Sequence, residues 1–326
     1  MPGPGRLCFR RRARHFVPLC IRSLPVLSRK SVSSRKAAED GPNRRRPAMN
    51  RERILVALQG SEADAGPLDA ARDLAPLFDA DVRGLFVEPD PAAYMLWTGP
   101  GAAGASVVSS AVDAVREEAD KACEAAKTRF DEAIRTGDLA DGASFKRICD
   151  SPSDAAEQAR LVRLLVTCPD AAAGKGPLAD FTAACLVDEG CPVFVPRTGA
   201  IAPKSIAVAW DGSKEAARAA FAAQPLFGPS VSVKILHSPK NLDYHDRAAA
   251  APNRLTHWLK ARGIEAVSVE VSGAGRVGEA LLEAAGDADL IVAGAYGHSR
   301  IAQFMFGGVT RTLLTARDGP SLLIAH

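Results

Sequence analysis

One motif occurs twice in the chain, and that repetition limits the architecture more than any other feature. Arg53-Ile-Leu-Val-Ala-Leu-Gln-Gly-Ser61 is matched by Ser205-Ile-Ala-Val-Ala-Trp-Asp-Gly-Ser213, with Ile54, Val56, Ala57, Gly60 and Ser61 recurring 152 positions later. In both copies an apolar run leads through a tight turn into an Ala-rich stretch, 64–78 and 214–223. Both copies also close on a proline and an apolar run, 192–195 and 320–324. Ile54 and Pro192 are 138 positions apart and Ile206 and Pro320 are 114 apart, so the excess of 24 fits one insertion in the Gly/Ala/Ser-rich stretch near 90–110. A duplication into two related domains follows, 51–200 and 201–326, preceded by an extension over 1–50. Two copies are too few for a solenoid.

Within 201–326, apolar runs at 206–210, 231–237, 266–271, 290–294 and 321–325 alternate with helical stretches at 214–223, 253–262, 276–285 and 307–315. The runs are continuous, as in strands covered on both faces. This alternation predicts an α/β fold, two tandem doubly wound parallel sheets of Rossmann-like type with five strands each. The first copy repeats the order, with strands at 53–58, 82–87, 144–149, 161–167 and 192–195. It adds a long charged helix at 111–135, a helix at 153–160 opened by Ser153 as N-cap, and a helix near 178–189. Ligands of such sheets bind beyond the carboxyl ends of the strands, at the switch point.

Charge separates the extension from the domains. The formal net charge is +3, yet residues 1–48 hold 13 Lys and Arg against Glu39 and Asp40, which leaves 28 basic and 36 acidic residues in the remainder. The extension is disordered by composition, and three readings of it stand: translated upstream sequence with Met49 as the start, which is the reading adopted, an organellar transit peptide, or a basic tail. No stacking or base-reading pattern supports nucleic-acid binding. No apolar run reaches the ~18 residues of a membrane span. Five of the seven cysteines lie outside the extension, with no CxxC, which suits reduced thiols and a cytoplasmic location.

The richest site follows the fourth strand of the second copy: Gly294-Ala-Tyr-Gly297-His-Ser-Arg-Ile-Ala-Gln-Phe-Met-Phe-Gly307-Gly308-Val-Thr310. Glycines there let backbone N–H groups approach an anion, and a helix opening near Gly308 turns its positive end toward it. His298 and Arg300 add positive charge and Thr310 a hydroxyl. A phosphate group suits this chemistry; a glycine-rich turn used for packing is the competing reading.

The Gly294-x2-Gly297-x9-Gly307 spacing, together with Val208-Ala-Trp-Asp211-Gly-Ser213, resembles the universal stress protein family and its adenine nucleotide alpha hydrolase-like fold. The resemblance covers nearly all of 204–326 and, less well, 52–197, and tandem members are common in that family. It implies that Asp211 and Leu236 hold the base of ATP, with or without Mg. Gly294 and Gly297 would take the ribose and first phosphates, and Gly307, Gly308 and Thr310 the distal phosphates. Gly308 stands where the family has Ser or Thr, which touches the terminal-phosphate contact. The first copy departs further, with Gln59 in place of the Asp and no 2-and-9 glycine spacing after its fourth strand. It is expected to be structural, pairing with the second as an internal pseudo-dimer, with a further homodimer and protein partners left open.

Other motifs are weak. Gly273-Ala-Gly275-Arg-Val-Gly278 matches GxGxxG, but no acid ends the next strand, as a dinucleotide site requires. Asp211-Gly-Ser213 is poorer in Gly and Ser than a pyrophosphatase loop. No histidine pattern suggests a metal, and Ser213 reads as an N-cap rather than a nucleophile. The acids and bases of 117–129 form a solvated helix face. The expectation is therefore a non-enzymatic, nucleotide-binding stress-response regulator with at most slow ATP hydrolysis. A nucleotide-free scaffold and an adenylyl-transfer or hydrolytic enzyme are the alternatives.

Overall fold

The computed structural model describes residues 51–88, 105–134, 137–197, 202–238, 251–272, 276–295, 308–316 and 318–326. The first copy builds β1 (Glu52–Leu58), α1 (Ala65–Leu77), β2 (Ala80–Val87), α2 (Ala105–Ile134), β3 (Ser144–Ile148), α3 (Pro152–Ala156), β4 (Leu164–Val166), α4 (Pro169–Ala172), α5 (Ala179–Val187) and β5 (Val193–Val195). The second builds β6 (Ser205–Ala209), α6 (Lys214–Ala222), β7 (Ser232–His237), α7 (Pro252–Lys260), β8 (Ala266–Glu270), α8 (Val277–Ala285), β9 (Leu290–Gly294), α9 (Gly308–Thr315) and β10 (Ser321–Ala325).

The expected five strands per copy are present, and they merge into one sheet in the order β3-β2-β1-β4-β5-β10-β9-β6-β7-β8. Neighbours are parallel except β5 and β10, which run antiparallel with Phe194 opposite Leu323. All residues of both strands are buried, so their pairing removes two apolar edges that would otherwise invite association. Arg197, just past β5, fastens the same seam. Its guanidinium donates to Pro320 O at 3.2 Å and Leu314 O at 3.4 Å, and also to Leu313 O, which caps the carboxyl end of α9. Its backbone N–H reaches Ser321 Oγ at 3.1 Å. Burial lowers the Arg197 pKa.

Strand alternation divides the core into two layers. Ile54, Val56 and Leu58 face the layer of α1, α2, α6 and α7. Leu55 and Ala57 face the layer of α3, α4, α5, α8 and α9. Both layers run through both copies. The expectation of continuously buried strands fails at the sheet ends: β3 and β8 are largely half-buried or exposed. Each has a neighbour on one side only.

Three local expectations need correction. The N-cap of α3 is Ser151, not Ser153: Ser151 Oγ accepts from Asp154 N at 3.2 Å, and Pro152 takes the first helical position. The run at 161–167 gives a strand only from Leu164, because Leu161 adopts a left-handed φ of +57° and is 99% exposed. The long helix opens at Ala105, inside the stretch read as an insertion loop. Gly278 of the GxGxxG match has a packing role: a Cβ there would lie 2.6 Å from Thr312 Cβ, so it brings α8 against α9. Gly273 and Gly275 lie outside the described residues.

Candidate functional site

The sheet order places the switch point of the second copy between β6 and β9, where Ala209 lies opposite Ala293. One residue beyond each strand stand Trp210 and Ala295, and the β6 side continues as Asp211-Gly212-Ser213. Gly212 has φ +80°, matching Gly60 at +82° in the first copy, so the repeated glycine is demanded by the backbone of the turn. Asp211 Oδ1 accepts from Ser213 N at 2.9 Å and from Ser213 Oγ at 2.6 Å. Ser213 Oγ in turn accepts from Ala216 N at 3.1 Å, making Ser213 the N-cap of α6 as the sequence indicated. The Asp211 carboxylate is thereby fixed at the mouth of the switch point.

Gly294 ends β9. A Cβ there would lie 2.5 Å from Ala216 N and 2.8 Å from the Glu215 carbonyl carbon. The first turn of α6 fills that space, so packing alone demands a glycine at 294. Leu236, expected beside the base, is 1% exposed and belongs to the apolar layer beneath the sheet. The polar groups at that strand end are its successors, His237 and Ser238. His237 Nδ1 is buried with no hydrogen-bond partner among the described residues, the kind of orphan that calls for an explanation.

Gly308 opens α9, the helix that follows β9. It is exposed, and a Cβ built on it would meet nothing within 4 Å. The first N–H groups of a helix lack intrahelical partners, so this end suits an anion. Thr310, in the first turn of the same helix, is 8% exposed. Gly297, His298, Arg300 and Gly307 lie outside the described residues. The structure thus brings Asp211 and Gly294 to one switch point, sets Leu236 in the core beneath it, and places no described residue against Gly308 at the start of α9.

The first copy treats the equivalent place differently. Asp64 is 1% exposed and turns inward to close the β1–α1 turn, accepting from Gln59 N at 3.0 Å and Gly60 N at 2.7 Å. Burial pushes its carboxyl pKa up, against the pull of these backbone bonds. Helix α2 passes directly over the turn: a Cβ on Gly60 would lie 2.2 Å from Ala122 O. Helix α4 begins at Pro169, three residues after β4 ends, and the Gly176 turn folds back toward Gln59, so that a Cβ on Gly176 would lie 4.0 Å from Gln59 Oε1. The protein's own groups fill this switch point. Sequence reasoning missed Asp64 and Arg197, since neither belongs to a motif; the one available signal for Asp64 was an acid four residues after the turn glycine.

Among the described residues no group of three or more His, Cys, Asp or Glu could hold a metal, and no helix is long and apolar enough to cross a membrane. Cys123, Cys168, Cys185 and Cys191 are buried and unbridged. Burial pushes the Cys191 thiol up to about 12, so it stays protonated and inert.

Comparison with known proteins bears on this arrangement. Residues 203–324 match the universal stress protein family. Among solved structures, a universal stress protein from Archaeoglobus fulgidus DSM 4304 aligns with a TM-score of 0.57 at 17% identity, covering 85% of this chain and 98% of that one. This shows a shared fold across both copies. A universal stress protein family member from Burkholderia pseudomallei aligns at 22% identity and a TM-score of 0.28, covering 44% of this chain and 94% of its own. A universal stress protein in complex with cAMP aligns at 16% identity and 0.25, covering 44% and 95%. A search of curated proteins finds no match. The Asp211 turn, the β6/β9 switch point and the start of α9 all fall inside residues 203–324, the stretch that matches the universal stress protein family.

Proposed function

We propose that the second copy binds an adenine nucleotide, ATP in the first instance, at the β6/β9 switch point, and that the first copy serves as its structural partner. The observation that carries this reading is the contrast between the two switch points. The first is filled by α2, α4 and the Asp64 carboxylate. The second presents a fixed Asp211 carboxylate and, among the described residues, a buried His237 Nδ1 without a partner and nothing packed against the helix start at Gly308.

In this reading Asp211 and the end of β7 take the base side, and the N–H groups of the first turn of α9 take phosphate. Gly297, Gly307, His298 and Arg300 complete the loop by resemblance. Bound ATP supplies phosphate charge for the helix end, with or without Mg. The role in this reading is regulatory, through ligand-dependent conformation or partner choice, in the cytoplasm.

Titration of the full chain with ATP by calorimetry tests the reading, with Asp211→Ala and Gly308→Val as variants. Wild type binding and at least roughly tenfold weaker binding by both variants is the expected result. No binding at millimolar ATP defeats it and favours a nucleotide-free scaffold, a reading that the packing role of Gly294 also supports. Turnover at or above ~1 per second would instead make the protein an enzyme.

A further inference from the structure

Helix α9 carries the amino end at which the nucleotide reading sets phosphate, and its eight residues, Gly308–Thr315, span only about 12 Å. No described residue lies within 4 Å of a Cβ built on Gly308 at that end. The helix is held elsewhere. On its flank, Thr312 stands so close to Gly278 of α8 that a Cβ on the glycine would lie 2.6 Å from Thr312 Cβ. The remaining hold comes from the first copy: α4 packs against α9, and Arg197 reaches over its carboxyl end from just past β5.

Arg197 suits that place. Leu313 and Leu314 belong to the last turn of α9, where carbonyls lack intrahelical donors. Pro320 stands just before β10. One planar guanidinium donates to all three carbonyls, so it ties the helix end to the entry of the central strand. The backbone N–H of Arg197 bonds Ser321 Oγ at 3.1 Å and fixes the base of the side chain to the same strand. Among the described residues Arg197 pairs with no carboxylate. Its charge is met by the carbonyls and by the negative pole of the helix.

We infer that Arg197 is a positioning residue for phosphate binding in the second copy, a role that rests on the nucleotide reading above. From the first copy it sets the height and tilt of α9, and hence where the N–H groups of Gly308, Val309 and Thr310 stand relative to the β6/β9 switch point. A packed helix of two turns shifts as a unit, so a displacement at one end is passed to the other. The first copy, its own switch point filled, thereby acts on the ligand of the second. ATP should sense this control through its distal phosphates. AMP, which lacks them, should not.

Calorimetric titration of the full chain with ATP and with AMP tests this, in wild type, Arg197→Ala, Arg197→Lys and Asp64→Ala. Both Arg197 variants should bind ATP at least about fivefold more weakly than wild type and AMP within about twofold of it. Arg197→Lys keeps the charge without the fork, and carries the test if Arg197→Ala does not fold. Asp64→Ala lowers stability while leaving the Arg197 bonds intact, and should bind both ligands as wild type does. Unchanged ATP affinity in a folded Arg197 variant overturns the inference, as does an equal loss for ATP and AMP, or a loss that Asp64→Ala reproduces. A wild type that binds ATP no more tightly than AMP also overturns it, since α9 would then have no distal phosphate to meet. A wild type that binds neither ligand defeats the nucleotide reading itself, and this role with it.

Discussion

Asp64 and Asp211 stand on the same turn of the repeat and point their carboxylates to different ends. Asp211 grips the turn from outside and stays at the mouth; Asp64 turns inward and is sealed there. Asp64→Ala leaves two part-buried N–H groups, those of Gln59 and Gly60, without their acceptor, at a cost of about 1–3 kcal/mol. Because burial raises the Asp64 pKa above its ordinary value, the native state holds that proton more tightly than the unfolded chain. Its contribution is therefore fully present below the unfolded pKa and declines as pH rises through the folded one. Urea unfolding at a series of pH values should show the wild-type advantage over Asp64→Ala shrinking as pH rises; an advantage that grows would contradict the assignment. At this scale the sequence was a partial guide. Gly212 and Ser213 read correctly, since a turn and a cap are local. The packing of Gly294 against α6 and the burial of Leu236 were not legible, because a glycine needed by α6 and a glycine needed by a ligand look identical in one dimension, and a strand-end leucine does not disclose which layer it faces.

Secondary-structure elements were the most legible level. Strand and helix alternation, the repeat and the switch point all followed from periodicity. The errors fell where tertiary contacts set the limits: α2 opens earlier than its charged stretch suggested, β4 is trimmed by the Leu161 turn, and β3 and β8 lack cover because they end the sheet. Arg197 shows what periodicity cannot express. Its fork spans the carboxyl end of α9 and the approach to β10 from the other half of the chain. Arg197→Ala should destabilise the fold by about 1.5–3 kcal/mol, from loss of charge-assisted bonds to carbonyls. Arg197→Lys should recover little, since an ammonium lacks the planar fork. Chemical denaturation of both variants measures this, and full recovery by lysine would remove the capping role.

At the scale of the molecule, ten strands form one sheet whose centre is the seam between the copies. Hydrogen exchange should therefore be slowest in β1, β4, β5, β10, β9 and β6, and fastest among strands in β3 and β8. Rapid exchange in β5 and β10 would mean that the halves open independently. The antiparallel seam also turns the carboxyl ends of the two sets of strands in opposite directions, so the two switch points lie on opposite edges of the sheet. Folding the β5–β10 contact into one chain also changes its mass action. Two separate five-stranded chains joined by the same contact would part on dilution below their dissociation constant, whereas here the contact is intramolecular and sees a fixed effective concentration. The halves stay paired at any abundance of the protein, and a copy that has lost its own switch point cannot be exchanged for another.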